Sequence, residues 1–205
     1  MKTVDSIHAG THKRRKEIVQ AALACFIVKG FSATSITEIC RKANASTGSV
    51  YHHFKSKSQL AAAVYLTGIR EFQEGMLAAL ENQVDAREGL FALVAFHLKW
   101  VERHQDWARF LFHQRHAEFM GGTEVELNRL NGRFAKGMAA WFQKHIAAGH
   151  IKNLPRDVFI SLLLGPAQEY SRQYLAGYGV SDIDSAAGEI GQGVWAALGN
   201  EYAQS

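Results

Sequence analysis

A chain of 205 residues with 47% hydrophobic content can bury one large or two small cores, which excludes a disordered protein. Two cysteines exclude a disulfide framework, and two prolines with few alternating runs exclude a β-rich fold. The polar N-terminus and the lack of an apolar run near ~18 residues predict neither a signal peptide nor a membrane span, so the cytoplasm is the expected location. The net charge of +4 is unevenly spread: residues 1–57 carry ten Lys and Arg against three Asp and Glu, and residues 58–205 thirteen against sixteen. A basic segment of this kind suits a phosphate backbone, with binding that weakens as salt rises, although by itself it is equally a solubilising tail.

Residues 1–12 are expected to form a flexible arm. Lys13, Arg14, Arg15 and Lys16 then lead into a helix with a stripe of Ile18, Ala22, Cys25 and Phe26. Gly30 is its expected C-cap, and Phe31 can fold back onto it. Ile36, Ile39, Cys40 and Ala43 mark one face of a second helix, with Ser35 and Glu38 as a capping box. Asn44 and Ala45 make a turn that needs a left-handed residue. Ser46 caps a third helix through Thr47, Gly48, Ser49, Val50, Tyr51, His52, His53 and Phe54, and Ser56 with Gln59 reads as another capping box. Two short helices across such a turn describe a helix-turn-helix. The small polar side chains of the second can reach base edges and phosphates.

The body reads as further helices: Lys57 to about Leu80, 86–102, 106–120 broken by Gly121 and Gly122, 124–148, Pro155 to Tyr178 with a kink at Pro166, and 182–202. The expected fold is all-α, about nine helices, with a helix-turn-helix domain over 13–59 and a helical bundle over 60–205. The bundle's aromatic stock can be ordinary core. It can also line a pocket for a small apolar or aromatic molecule, with His97, His113, Gln114 and Gln168 as polar groups. Cys25 and Cys40 read as small buried hydrophobes. His113 and His116 are one turn apart, with His97 and Glu118 near in sequence, but no Cys or carboxylate completes a metal set, so no metal or other cofactor is expected. No catalytic constellation is discernible, and no enzyme activity is expected.

Ile18, Ala21, Ala22, Phe26, Gly30, Phe31, Thr34, Ser35, Ile36, Ile39, Gly48, Tyr51, His53, Phe54, Lys57 and Leu60 together resemble the DNA-binding domain of the TetR (tetracycline repressor) family. Asn44 departs from the usual Gly of the turn, and Ala45 from a larger aliphatic residue. The resemblance implies a DNA-binding head on a ligand-binding and dimerising body. By position it implies base contacts from Thr37, Thr47, Gly48 and His52, and phosphate contacts from Thr34, Ser49, Tyr51, His53 and Lys57. It also favours an effector pocket built from Phe72, Phe96, His97, Trp100, Phe110, His113, Phe134, Met138, Trp141 and Gln168. The last two helices would pair across a homodimer through Leu163, Tyr170, Tyr174, Ala187, Ile190, Val194 and Leu198. The expected partners are a double-stranded, pseudo-palindromic DNA operator, an unknown small-molecule effector and a second copy of the chain, with no membrane. The expected activity is repression relieved by the effector. A metal-binding protein or enzyme using the His-rich body, and an architectural DNA binder without effector, remain the alternatives. Residues 46–54 hold no Arg, Asn or Gln, so base discrimination must lean on hydroxyls, one imidazole, close backbone approach at Gly48 and DNA shape.

Overall fold

The computed structural model describes residues 4–113, 123–179 and 181–200, with side chains over 10–112, 123–179 and 181–200. Gln114, His116, Glu118, Phe119, Gly121, Gly122, Tyr202 and the His113 side chain lie outside the described residues. Among the described residues there are nine helices: α1 Val4–Ala33, α2 Ile36–Lys42, α3 Thr47–His53, α4 Lys57–Glu81, α5 Ala86–Arg103, α6 Gln105–His113, α7 Glu124–Ala147, α8 Arg156–Leu175 and α9 Ile183–Leu198. The all-α expectation holds, and most boundaries fall within a few residues of those expected. The flexible arm does not: α1 already runs from Val4. Nothing between Val4 and Lys29 stops a helix, and extending a nucleated helix costs far less than starting one. The break comes at Gly30, whose φ of 77° is left-handed.

The described residues fall into two compact units. The first takes in those up to Ile69 and those between Asp106 and Leu127. Ile18, Ala22, Phe26, Ile39, Val50, Phe54, Leu60 and Val64 are buried in it. It is larger than the 13–59 domain expected, because α4 as far as Ile69 and most of α6 belong to it. Trp107 of α6 lies on the backbone of α4 at Gly68, where a Cβ would stand 2.5 Å from the indole ring. Phe110 stacks on Phe26 of α1, centroids 5.9 Å apart. Phe110, expected in an effector pocket, is thus core of the first unit.

The second unit spans Arg70–Gln105 and Asn128–Ser205. α5 is its centre and packs on α8 and α9, burying Leu90, Leu93, Val94, Leu98 and Val101. Gly191 lets α9 come close, since a Cβ there would lie 2.8 Å from the Phe91 ring. Ala187, Val194 and Leu198 of α9 and Leu163 of α8 are buried in this core, at most 6% exposed. The resemblance places these four at a dimer interface instead. Helical periodicity marks a stripe as buried without naming its partner, and here the partner is the same chain. Gly188 and Gly193 face open space.

α1 and α9 share a trait: neither has a basic residue in its last turn. Each receives a cation from far along the chain. Lys152 Nζ donates to the carbonyls of Ala196 and Ala197 at 3.2 and 3.0 Å, at the end of α9. The isolated bridge between Ile151 and Gly199 holds it there. At the end of α1 the cation is Lys57.

Candidate nucleic-acid interface

Local chemistry builds the helix pair. The Ser35 hydroxyl accepts from the Glu38 amide at 3.2 Å, and the Glu38 carboxylate accepts from the Ser35 amide at 2.9 Å, closing the capping box. Lys29 also pairs with Glu38. That ammonium, with the two Ser35 donors, holds the Glu38 carboxyl down to about 2. α2 ends in a Schellman turn: the Ala45 amide donates to Cys40 O at 2.9 Å and the Asn44 amide to Arg41 O at 3.3 Å. Asn44 takes the left-handed φ of 47° that this turn requires. Arg14 reaches across from α1 to donate to Ala43 O at 3.3 Å. The Ser46 hydroxyl accepts from the Ser49 amide at 3.1 Å and starts α3. The capping box expected at Ser56 forms by half. The Gln59 amide donates to Ser56 Oγ, but Gln59 Oε1 accepts from the Lys55 amide at 2.6 Å.

Thr37, Thr47, Gly48, Tyr51 and His52 are exposed, and Ser49 and His53 are half-buried. Val50 and Phe54 of the same stretch are buried, so the unit anchors α3 by one side and shows the other to solvent. The Cys40 thiol lies 3.8 Å from Thr47 Oγ1 and orients that hydroxyl. A Cβ at Gly48 would meet only Ser46 Oγ, at 3.9 Å. Nothing inside the fold therefore requires glycine there, although glycine weakens a helix by ~1 kcal/mol against Ala. Tyr51 leaves 48% of its surface in solvent, too much for a core aromatic. His53 sits edge-on to His52 with centroids 5.2 Å apart. Burial first, and then His52, Arg15 and Arg14, push its imidazole below the usual range. The Arg15 guanidinium lies 5.1 Å over the Phe54 ring.

Two expected phosphate contacts are turned inward. Thr34 is 2% exposed, and its hydroxyl donates to Gly30 O at 2.7 Å and to Cys25 O at 3.2 Å. Lys57 Nζ donates to the carbonyls of Phe31, Ser32 and Thr34 at 2.8, 3.1 and 2.9 Å and lies 4.6 Å from the Phe31 ring centroid. Position in the motif suggested phosphate for both; the end of α1 supplies carbonyls instead. Reading the sequence also missed an open groove of about 770 Å³ whose lining includes Lys13, Lys16, Lys42 and Asn44. The Lys-Arg-Arg-Lys run was its visible signal, but only the packing of α1 on α2 separates Arg14 and Arg15 from Lys13 and Lys16.

The second unit gathers part of the expected pocket set. Phe72 is edge-on to His97 at 5.2 Å and to Trp100 at 5.1 Å, and lies 6.0 Å from Phe96. His97 is 2% exposed, and neither its ring nitrogens nor Trp100 Nε1 has a hydrogen-bond partner among the described residues. Burial holds the His97 imidazole down to about 4. Phe134 and Met138 pack in the same core. Trp141 turns elsewhere: its Nε1 donates to Gln83 O at 2.9 Å and its ring lies 4.2 Å from His145. Gln168 is exposed on α8, so it is not a lining group. A cavity of about 270 Å³ opens between α5 and α9 beside Phe91, Ala95, Asp184 and Gly188, and its lining includes none of Phe72, Phe96, His97 and Trp100. No group of three His, Cys, Asp or Glu able to hold a metal occurs among the described residues. No helix among them is long and apolar enough to cross a membrane.

The family model for bacterial regulatory proteins of the tetR family matches residues 18–64, the stretch that forms this interface. Residues 18–64 thus match the N-terminal domain of the TetR family. Over 107 residues it is 33% identical to the probable acrEF/envCD operon repressor of Escherichia coli K12, covering 50% of this chain and 48% of that one. It is 30% identical over 100 residues to the transcriptional activator FasR of Mycolicibacterium smegmatis, covering 49% and 46%. It thus spans about half the length of these relatives. Among solved structures, a TetR family transcription regulator from Marinobacter aquaeolei VT8 superposes with a TM-score of 0.82 at 20% identity, over 95% of this chain and 100% of that one. A TetR-like regulator from Rhodococcus sp. RHA1 gives 0.65 at 22%, over 90% and 94%. The second unit therefore shares the TetR-family fold as well.

Proposed function

We propose that this protein is a TetR-type transcriptional repressor that binds a pseudo-palindromic operator as a homodimer and is released by a small apolar or aromatic effector. The observation that carries the reading is Gly48, a helix-weakening residue on the exposed side of α3 with nothing in the fold to require it. A DNA backbone or base edge approaching α3 closely is a reason for it. Thr37, Thr47 and His52 beside it can donate to base edges, and Ser49, Tyr51 and His53 to phosphates. Two such heads need to stand ~35 Å apart to enter successive major grooves.

The dimer would form through the outer sides of α8 and α9. Val158 and Ile160 are 43% and 42% exposed, and Gly165, Gly188 and Gly193 leave room for a close helix. Tyr170, Tyr174 and Ile190, half-buried, would sit at its margin. The effector would enter the cluster of Phe72, Phe96, His97 and Trp100, where three nitrogens without a partner among the described residues call for a polar ligand group or water. It would act by binding more tightly to a subunit arrangement with the wrong head spacing.

The test is selection from a pool of random DNA duplexes by the full-length protein, followed by titration of the enriched duplex. A two-fold symmetric duplex, bound by a dimer with steep salt dependence, is the expected result. Failure to enrich any sequence would sink the reading.

A further inference from the structure

The end of α1 has a problem of its own making. Gly30 breaks the helix, and the last turn carries no basic residue to meet the negative end of its dipole. Lys57 resolves it. An ammonium has three N–H donors, and Lys57 directs one to each of Phe31 O, Ser32 O and Thr34 O. The Phe31 ring covers a further side at 4.6 Å. Lys57 is also the first residue of α4, where a cation is unfavourable to its own helix dipole. Turning to α1 removes that charge from the α4 N-terminus. The same carbonyls lead directly into Ser35, the cap of α2, and the buried Thr34 hydroxyl ties this segment back to Cys25 and Gly30.

We infer that Lys57 is a positioning residue for DNA binding: its ammonium clamps the α1–α2 connection to α4, and so sets the direction in which α2 and α3 face DNA, without neutralising a phosphate. This rests on the DNA-binding reading above. The clamp joins α1, the segment that leads into α2, and α4 at one atom, and a lysine engaged this way has no N–H left for a phosphate.

The test uses full-length wild type, Lys57→Met and Lys57→Arg with the duplex selected by the wild type. Affinity is measured across a range of NaCl concentrations, and the active fraction by stoichiometric titration. The clamp predicts that Lys57→Met binds about tenfold more weakly at every salt concentration, with an unchanged salt slope and a full active fraction. Lys57→Arg does not restore it, because a planar guanidinium cannot meet three carbonyls set around one nitrogen. Amide exchange over residues 31–36 should quicken in Lys57→Met without DNA. A slope smaller by about 0.9 with Lys57→Arg near wild type would identify a phosphate contact and overturn the inference. So would unchanged affinity, or a lower active fraction at unchanged affinity, which marks a role in stability alone. If the wild type selects no duplex, it is the DNA-binding reading that has failed.

Discussion

Phe110 stacks on Phe26 with ring centroids 5.9 Å apart and planes 18° from parallel, joining α6 to the core of the first unit. Both rings are buried, at 2% and 4% exposure. Phe110→Ala should therefore destabilise the first unit by about 3–5 kcal/mol through lost burial and a residual cavity. Denaturant unfolding followed by hydrogen exchange in α1 measures this. Protection loss confined to α5, α8 and α9 would contradict the assignment.

Gly48→Ala separates folding from binding. With only Ser46 Oγ near the added methyl, the variant should stabilise α3 by roughly 0.5–1 kcal/mol. DNA affinity should nevertheless fall, because the methyl stands where DNA approaches. Paired thermal unfolding and DNA titration read both signs, and a variant that binds as well as wild type would remove the main support for the interface.

Tyr51 and His52 should divide the work of α3. Tyr51→Phe is expected to lower affinity for every duplex alike, since a phosphate contact carries no sequence information. His52→Ala is expected to flatten the preference among related duplexes, and a uniform loss would reassign His52 to the backbone.

His97 predicts a pH dependence of stability. Its folded value of about 4 lies below the ordinary 6.5 because burial penalises the charged ring. Above pH 6.5 both states hold it neutral and it costs nothing. As pH falls from 6.5 towards 4 the unfolded chain takes up the proton first, and about 3 kcal/mol of stability is lost. His97→Phe should flatten this slope in chemical denaturation between those pH values; an equal slope in the variant would place the dependence elsewhere.

What the chain determined by itself was local. The Ser35–Glu38 box, the Ser46 cap, the left-handed Asn44 and the break at Gly30 each join residues within about five positions, so spacing and residue type suffice to read them. The helix-turn-helix and its exposed face follow from them. Tertiary structure decided whatever depends on distant partners. A stripe on α9 announces burial, but only packing shows that α5 covers Val194 and Leu198. An aromatic on α6 could serve a pocket or a core, and only its position against Phe26 tells which. Lys57 lies where a phosphate contact is expected, yet the carbonyls of Phe31, Ser32 and Thr34 are at hydrogen-bonding distance, 23 to 26 residues earlier in the chain. A side chain's partner is set by whatever the fold brings within ~3 Å, and no periodicity in the sequence encodes that meeting.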